Sequence, residues 1–393
     1  MDRILFYMPE FGHGGAQRHM SVIANSFAQY GYYVTVASFF DNSELCYKLD
    51  SKIKYKYITD CKSYNKQINK NLFYKIKKFI IKFKYRRNKT RQKYMMRRLK
   101  FDYSDGELFR EFLRKGQYDI IIPFTTRSSL QLSLAARKMN NKICIPEIAY
   151  PEKIYKDEIT DLFKRSAYNS ADFHIFQTKE QFEFYKNNGY VFKGKSCVIH
   201  NPIKDNLPDP SGRERKNIIV NFCRLDPVKN LKLLISAFKI FSGEYPDYKL
   251  YIYGEGPQHD ELIRLIDELG LNGKVLIKPF EKNIHEIILD YKMFVSSSDS
   301  EGISNSIIEA MGIGLPVIST NADGGGAKAV IRDGENGLIV PKGNADEMYK
   351  AMKRIADDSD FASKLSENGV KIKETLSAQN IGKQWIDAIE SVL

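Results

Sequence analysis

The sequence predicts an α/β protein with two doubly wound domains, each a parallel β-sheet covered by helices on both faces. Its 393 residues are more than one hydrophobic core usually organises, and a hydrophobic content of 43% is ordinary for a globular protein. Short apolar segments alternate with helical patterns in two successive series, as they do in parallel sheets. A polar, proline-rich stretch at 201–215 separates the two series and indicates a linker.

The first series begins with an apolar strand from Ile4 to Met8, a glycine-rich turn and a helical pattern from about Ala16 to Tyr30. Its other strands are predicted at 33–39, 119–122, 142–146, 172–176 and 196–200. The second series has predicted strands at 217–222, 248–253, 274–277, 293–296, 316–319 and 337–340. We therefore expect Rossmann-like domains at 1–203 and 204–376 that face a central cleft, and a C-terminal helix at 377–393 that packs back toward the first domain.

The composition argues against several classes of protein. The five cysteines show no paired spacing, which disfavours a disulfide framework or a zinc site. No apolar run reaches the roughly 18 residues of a membrane span, and the N-terminal residues do not resemble a signal peptide. We therefore expect a cytoplasmic protein that is peripheral on the inner face of the cell membrane.

The net charge of +13 comes from one segment. Between Cys61 and Phe101 lie 16 lysines and arginines and no acidic residue, and the remaining 45 basic and 48 acidic residues have a net charge of −3. At about 100° per residue, a helix at about 69–100 would place an apolar stripe between two rows of cations. The stripe consists of Leu72, Ile76, Phe79, Ile80 and Phe83. The cations predicted to contact an acceptor or a membrane are Lys75, Lys78, Lys82 and Arg86.

This pattern suits a helix at an anionic membrane surface, where lysine stems lie along the interface and their charged ends meet the head groups. Two alternatives stay open. One is a core-packed helix with a solvated face, and the other is nucleic-acid binding, which no recognised motif accompanies. We expect contact with a membrane or a lipid diphosphate and no nucleic-acid partner.

Two glutamates stand at informative positions in the second series. Glu301 follows a predicted strand, and Glu309 lies in the next helix with seven residues between them. Gly302 permits a tight turn, and the helix begins near Ser304 or Asn305, so that its first N–H groups point toward the strand ends. Carboxylates placed in this way can bind sugar hydroxyls, and the helix start can meet a diphosphate. In isolation, the same spacing is typical of exposed surface glutamates.

Further segments of the second series suit a phosphate ligand. Arg224 and Lys229 follow its first strand and could stabilise the charge that grows on a departing diphosphate. Gly254 and Gly256 form a turn after the next strand, where the backbone can approach a ligand closely. A third glycine-rich loop follows the strand at 316–319.

Together these motifs resemble the retaining glycosyltransferases of family 4, which have the GT-B fold. The matching segments follow in order: R-L-D-P-x-K-N, G-E-G-P, E-G-x-x-N-x-x-x-E-A-M, G-L-P-V-I-S-T and D-G-E-N-G-L-I-V. The resemblance implies that Arg224 and Lys229 bind the donor diphosphate. It also implies that Glu309 contacts the ribose and that Glu301 holds hydroxyls of the donor sugar. Further expected donor contacts are Gly302, Ile303, Ser304 and Asn305.

The first series is consistent with the same family. Gly14 and Gly15 begin a segment similar to the family's G-G-A-E-R loop, with Gln17 where glutamate is usual. Their amides are expected to face the donor phosphates and the acceptor. Glu147 matches the glutamate of an acceptor-side Glu-His pair, and Ile148 replaces the histidine, which leaves Glu147 as a catalytic candidate. The alternative is that Glu147 has a structural role, as a glutamate at a strand end that binds backbone groups.

The resemblance implies transfer of a hexose or N-acetylhexosamine from a UDP-sugar to a hydroxyl of a glycan acceptor, with the acceptor linked to polyprenyl diphosphate. No metal or other cofactor is expected, and the D-x-D match from Asp358 to Asp360 is interpreted as a turn. His13 and His19 are weaker candidates for acid–base groups. Two other functions stay open, a sugar-nucleotide 2-epimerase and a non-enzymatic nucleic-acid-binding protein. The motifs leave the donor sugar, the acceptor sugar and the linkage undetermined.

Overall fold

The computed structural model describes residues 2–12, 14–40, 46–59, 72–102, 105–135, 141–148, 158–210, 212 and 214–393. The chain divides into two units. The first consists of Met1–Phe176, Phe182–Ile199 and Ile381–Leu393, and the second consists of Gln177–Gln181 and His200–Asn380. Within the described ranges, no helix is both long enough and apolar enough to cross a membrane.

The first unit is built on a parallel seven-stranded sheet. Its strands are β1 (Arg3–Met8), β2 (Tyr33–Phe40), β3 (Lys54–Thr59), β4 (Ile120–Pro123), β5 (Lys142–Glu147), β6 (Phe173–Phe176) and β7 (Lys195–Val198). They lie in the order β3-β2-β1-β4-β5-β6-β7, so the chain reverses direction across the sheet between β1 and β4. Leu5 of β1 pairs with Thr35 on one side and Ile121 on the other. Every predicted strand of this series is present.

In this part of the chain the described residues also form seven helices, which follow or separate the strands. They are α1 (Gly15–Gln29), α2 (Leu72–Lys84), α3 (Lys89–Asp102), α4 (Asp105–Gly116), α5 (Thr126–Ala135), α6 (Glu158–Ser170) and α7 (Lys179–Asn187). The core of the unit is rich in aromatic side chains, among them Tyr7, Phe39, Phe109, Phe176 and Tyr185. Such a core between helices and a buried sheet explains why β1 is apolar without alternation.

The prediction of one basic helix over 69–100 is wrong in its continuity, and its first three residues lie outside the described ranges. The chain forms α2 and α3 instead, with a break after Lys84. Asn88 restarts the helix, because its side-chain oxygen accepts a hydrogen bond from the amide of Arg91 at 2.8 Å, as an N-cap residue does. Gln92 of α3 then donates to the carbonyl of Lys82 at 2.8 Å and ties the two helices together.

The second unit contains a parallel six-stranded sheet in the order β10-β9-β8-β11-β12-β13. Its strands are β8 (Lys216–Phe222), β9 (Lys249–Tyr253), β10 (Val275–Lys278), β11 (Tyr291–Ser296), β12 (Val317–Thr320) and β13 (Leu338–Val340). The helices that follow in this part of the chain are α8 (Leu231–Glu244), α9 (His259–Glu268), α10 (Ile284–Ile287), α11 (Asn305–Gly312), α12 (Gly326–Val330), α13 (Ala345–Asp357), α14 (Ser359–Val370), α15 (Ile372–Thr375) and α16 (Ala378–Glu390).

The residues of α16 from Ile381 onward belong to the first unit. Trp385 stacks on Phe124 with ring centroids 5.6 Å apart, and Gly382 lies against Ser26 of α1. A Cβ atom at position 382 would stand 2.3 Å from the Ser26 hydroxyl oxygen, so this close approach requires glycine.

Candidate active site

The two central strands of the second sheet define the place of the candidate site. The chain runs outward from β8 through β9 to β10, and then from β11 through β12 to β13 on the other side. The direction therefore reverses between β8 and β11, and ligands of open α/β sheets bind at such a point, beyond the carboxyl ends of the strands. Lys229 lies in the segment after β8, and Glu301 lies in the segment after β11.

Lys229 and Glu301 form an ion pair across this point. The ammonium of Lys229 donates a hydrogen bond to Oε2 of Glu301, and the side chains are 18% and 21% exposed. Ser298 also donates to the same carboxylate oxygen, at 3.3 Å. Burial alone would lower the pKa of Lys229, but the charge of Glu301 and its hydrogen bond outweigh burial and raise that pKa. The ammonium of Lys229 is therefore charged at neutral pH.

Short contacts between the two segments hold this pair in place. Asn230 adopts the left-handed conformation with φ of 43°, which asparagine tolerates better than most residues, and caps α8. Its amide donates to the Asp299 carboxylate at 2.9 Å, and the backbone amide of Asp299 donates to the carbonyl of Val228 at 2.9 Å. Hydrogen bonds thus join the segment that contains Lys229 to the segment that contains Glu301.

Arg224 lies on the same segment as Lys229 but keeps its guanidinium outside. Its side chain is 76% exposed and donates to the carboxylate of Asp226, which is 16% exposed. An exposed arginine beside a half-buried lysine can reach an anion that enters from solvent, whereas the lysine is held by Glu301.

Glu309 lies on α11 and is buried, with 9% of its surface exposed. Its Oε2 atom is 2.9 Å from Nε2 of His285, a buried histidine on α10. The Nδ1 atom of the same ring is 3.4 Å from the ammonium of Lys204. The sequence analysis did not single out His285 or Lys204, because they are 24 and 105 positions from Glu309 in the chain and follow no motif.

The turn between Glu301 and α11 is fixed by residues from an earlier part of the second unit. The amide of Ile303 donates to Oε1 of Gln177 at 3.2 Å, and its carbonyl accepts from Asn201 at 3.1 Å. Ser304 precedes α11 in an extended conformation. Gly326 packs on Gly302, where a Cβ atom would stand 1.7 Å from the Gly302 carbonyl oxygen. Sequence analysis missed Gln177 and Asn201, whose contacts with Ile303 are also long-range.

Close backbone packing requires glycine at positions 254 and 256, and the sequence alone did not show this. A Cβ atom at Gly254 would lie 1.9 Å from the carbonyl oxygen of Cys223, and one at Gly256 would lie 2.6 Å from that of Leu225. Both glycines therefore let the turn after β9 pack on the segment after β8, which contains Arg224. A ligand contact by these two glycines stays a prediction.

Among the described residues, no three His, Cys, Asp or Glu side chains are grouped to hold a metal ion. Asp358 of the D-x-D match caps α14, since its side chain accepts a hydrogen bond from the amide of Phe361 at 2.8 Å. The match was interpreted from the sequence as a turn, and in the structure it forms the start of α14 directly after α13.

Residues 203–372 match the family model described as glycosyl transferases group 1. The matched segment makes up most of the second unit, which belongs to this family. The protein is a glycosyltransferase, and the resemblance drawn from the motifs of the second series is confirmed for family and fold.

Curated relatives of the glycosyltransferase come from several bacteria. An N-acetylgalactosamine-N,N'-diacetylbacillosaminyl-diphospho-undecaprenol 4-alpha-N-acetylgalactosaminyltransferase of Campylobacter jejuni is 28% identical over 253 residues, which cover 62% of this chain and 68% of that protein. A poly(glycerol-phosphate) alpha-glucosyltransferase of Bacillus subtilis is 26% identical over 242 residues, 61% of this chain and 35% of that protein. A lipopolysaccharide core biosynthesis glycosyltransferase of Rhizobium meliloti is 32% identical over 176 residues, 45% of this chain and 49% of that protein. This chain thus spans half or less of the latter two.

Solved structures resemble the glycosyltransferase along its whole length. TarM of S. aureus, in complex with UDP and other ligands, superposes with a TM-score of 0.76 at 17% identity and covers 99% of each chain. HepE of Anabaena, in complex with UDP and glucose, has a TM-score of 0.76 at 17% identity and covers 100% of each chain. These likenesses show that the chain has the GT-B fold.

In the first unit of the glycosyltransferase, Gly14 precedes α1 in an extended conformation and Gly15 is its first residue. No acidic residue lies in the first turn of α1. A helix start of this kind attracts anions. The role of these glycines toward a donor stays a prediction, and His13 lies outside the described residues.

Glu147 ends β5 and is buried in an ion pair. Oε2 of Glu147 lies 2.6 Å from the ammonium of Lys164, and the two side chains are 8% and 2% exposed. Tyr168 donates a hydrogen bond to the same oxygen, and Lys164 donates to the hydroxyl of Tyr185 at 2.6 Å. Among the described residues this carboxylate has side-chain partners, whereas the structural alternative predicted a backbone partner. Its catalytic role stays a prediction.

His19 is buried between the aromatic rings of Phe124 and Trp385, whose centroids lie 5.4 and 5.8 Å from its own. Neither nitrogen of this ring has a hydrogen-bond partner among the described residues. Burial, with a smaller contribution from the charge of Arg18, lowers the pKa of His19 to about 3. The imidazole is therefore neutral at physiological pH, which favours a packing role over acid–base catalysis.

Replacing His19 with leucine is expected to make the first unit less sensitive to acid. Its pKa is 6.5 in the unfolded chain and about 3 in the folded one, so stability is complete above pH 6.5 and is lost as the pH falls toward 3. Between pH 7 and pH 5 the loss due to this residue is about 2 kcal/mol. His174, whose pKa burial lowers to about 4, adds a loss of the same sign in both proteins.

Urea unfolding at pH 7 and pH 5, followed by fluorescence, measures this effect. Trp385 is the single tryptophan of the chain and touches His19, so its signal reports the first unit. An exposed histidine of the second unit provides the control variant His259→Leu. An unchanged pH dependence in His19→Leu would contradict the burial argument.

The cations and apolar residues predicted for a membrane lie on α2 and in the turn that follows it. The apolar stripe faces outward: Ile76, Phe79, Ile80 and Phe83 are 47%, 72%, 52% and 64% exposed. Ile81 of the same helix packs inward and is 8% exposed. Lys75, Lys82 and Arg86 are also exposed, and Lys78 is half-buried. The side chain of Leu72 lies outside the description.

Proposed function

We propose that the protein is a retaining glycosyltransferase that moves a hexose or N-acetylhexosamine from a UDP-sugar to a hydroxyl of a lipid-linked glycan. The observation that supports it most is the Lys229–Glu301 ion pair at the reversal point of the second sheet, followed in the chain by α11 with the buried Glu309. The solved structures of TarM and HepE contain UDP, and the Campylobacter jejuni relative is named for a glycan acceptor linked to diphospho-undecaprenol. Surface glycan assembly is the setting that these relatives favour.

The Lys229–Glu301 ion pair suits a sugar-nucleotide donor whose diphosphate binds the lysine and whose sugar binds the glutamate. A diphosphate entering the site would take Lys229 as its counter-ion, and Arg224 would close from the exposed side. Glu301 would then accept hydrogen bonds from hydroxyls of the donor sugar. In the absence of donor, each charge stabilises the other, so neither is left uncompensated in a half-buried place.

The reaction breaks the bond between the anomeric carbon and the diphosphate oxygen and forms a bond from that carbon to the acceptor oxygen on the same face. The acceptor hydroxyl loses its proton, which leaves with the nucleotide diphosphate. Lys229, Arg224 and backbone amides stabilise the negative charge that grows on the leaving phosphate in an oxocarbenium-like transition state. This scheme needs no metal, and a chelator should leave the transfer intact.

The exposed stripe on α2 supports attachment to an anionic membrane, at the inner face of the cell membrane. Large apolar side chains are rarely grouped on a monomer surface without a partner. Here four of them lie together on a helix with lysines on both flanks, as in interfacial helices. A lipid-linked acceptor would bring its diphosphate to this same surface.

Replacing Phe79 and Phe83 with serine should weaken binding to vesicles that contain phosphatidylglycerol. Each phenylalanine contributes about 1.5–3 kcal/mol when fully buried, so the double variant should bind about 100-fold more weakly or worse. Phe280→Ser removes an equally exposed phenylalanine of the second unit and should change nothing. Sedimentation with vesicles at two salt concentrations measures the effect.

Equal vesicle binding by the double variant and the wild type would contradict the membrane assignment. Salt-dependent binding to duplex DNA, without binding to vesicles, would support the nucleic-acid alternative.

Sugar transfer tests the proposed function as a whole. The wild-type protein is incubated with UDP-glucose, UDP-galactose, UDP-GlcNAc or UDP-GalNAc and a polyprenyl-diphosphate-linked glycan, and both UDP release and product are recorded. We expect one donor to give a product with the anomeric configuration of the donor. UDP release without product would remove the acceptor from the proposal, and an epimerised nucleotide sugar would favour the epimerase.

A further inference from the structure

In the second unit the buried Glu309 contacts a histidine, and that histidine contacts a lysine. Nε2 of His285 is 2.9 Å from Oε2 of Glu309, and Nδ1 of the same ring is 3.4 Å from the ammonium of Lys204. His285 and Glu309 are 5% and 9% exposed, so both act in a largely water-free environment.

The chemistry of Lys204 decides where the imidazole hydrogen lies. A lysine ammonium has three donors and no acceptor, so the Nδ1 atom that it meets must accept. The imidazole hydrogen then lies on Nε2, which donates it to the Glu309 carboxylate. Phe222 packs edge-on against the ring at 5.8 Å and limits its rotation.

We infer that His285 is a positioning residue that holds the Glu309 carboxylate toward the ribose and so makes the site selective for ribonucleotide donors. This inference rests on the proposed function, in which Glu309 contacts the ribose. A buried carboxylate held by an oriented donor is restricted in its rotamers, and a site built to bind a hydroxyl rejects a ligand that lacks it. Lys204 acts one step further away, by fixing the tautomer of His285.

Binding of UDP and of 2′-deoxy-UDP, measured by calorimetry, tests this role. His285→Leu should weaken UDP binding about 10- to 100-fold, because a hydrogen bond to a charged, buried group is lost. The loss should be much smaller for 2′-deoxy-UDP, so the ratio of the two affinities should fall toward that of Glu309→Gln. His285→Gln should restore the ratio, because its amide can donate to Glu309 and accept from Lys204.

Two further variants keep the test decisive. Lys204→Met leaves the buried ring untouched and should produce a smaller shift in the same ratio, which matters if His285→Leu does not fold. His259→Leu, an exposed histidine of the same unit, should leave both affinities unchanged. Thermal unfolding of every variant separates positioning from loss of structure.

The outcomes distinguish this inference from the proposed function. If Glu309→Gln lowers the ratio and His285→Leu does not, the donor site stands and the role of His285 is overturned. Equal losses for both nucleotides in His285→Leu would also overturn it, because they indicate a general structural role. If Glu309→Gln leaves the ratio unchanged, the ribose assignment and this inference fail together.

Discussion

Replacing Lys229 with methionine is expected to lower kcat for sugar transfer about 100- to 1000-fold, equivalent to about 2.7–4 kcal/mol of transition-state stabilisation. Lys229 is the half-buried cation of the site, and the charge on the departing diphosphate grows as the sugar leaves. The variant also leaves Glu301 without its partner, at 21% exposure. Initial rates of UDP release under saturating donor measure the change.

Lys232→Met is the matched control for this prediction. Lys232 lies on α8, close to Lys229 in the chain, and is 47% exposed in a surface pair with Glu261. Exposed pairs contribute about 0.2–1 kcal/mol, so this variant should transfer sugar at the wild-type rate. A Lys229→Met enzyme with the rate of the control would remove this lysine from the mechanism.

Replacing Lys164 with methionine is expected to destabilise the first unit by about 3–5 kcal/mol, since it leaves the charge of Glu147 buried without a counter-ion. The two side chains are only 2% and 8% exposed. Urea unfolding followed by the fluorescence of Trp385 measures this loss within the unit concerned.

The double variant Lys164→Met with Glu147→Gln should recover most of that stability, because no buried charge remains. Lys115→Met breaks an exposed pair with Glu111 in the same unit and should cost about 1 kcal/mol or less. A Lys164→Met protein as stable as this control would contradict the buried-pair argument. If the double variant folds, its transfer activity also tests the sequence prediction that Glu147 takes part in catalysis.

The sequence predicted the sheets well, because buried parallel strands are apolar on both faces and turns follow them. The strand it missed, β3, lies at the edge of the first sheet and alternates lysine with tyrosine, K-Y-K-Y-I-T, so it lacks a continuous apolar run. The break between α2 and α3 was also missed. It depends on one side-chain cap at Asn88, which the periodicity of the flanking residues does not show.

The site was predictable only where the motif is local. The motifs predicted Lys229 and Glu301 as candidate site residues, but the direct contact between them joins residues 72 positions apart and is not indicated by either motif. His285 contacts Glu309, and Gln177 and Asn201 contact Ile303. These contacts join residues far apart in the chain, and no motif near the three residues indicates them. For the basic segment, periodicity identified the apolar stripe but left its direction open. The structure shows Phe79 and Phe83 on the outside.

Calorimetric titration with UDP, in a buffer that contains EDTA, tests the central claim most directly. The wild-type protein and Glu309→Ala are compared, with thermal unfolding as the check on folding. We predict that the wild type binds one UDP per chain without metal and that Glu309→Ala keeps its fold and loses most of this affinity. Equal binding by both proteins, or no binding by the wild type, would contradict a nucleotide-sugar site at this place.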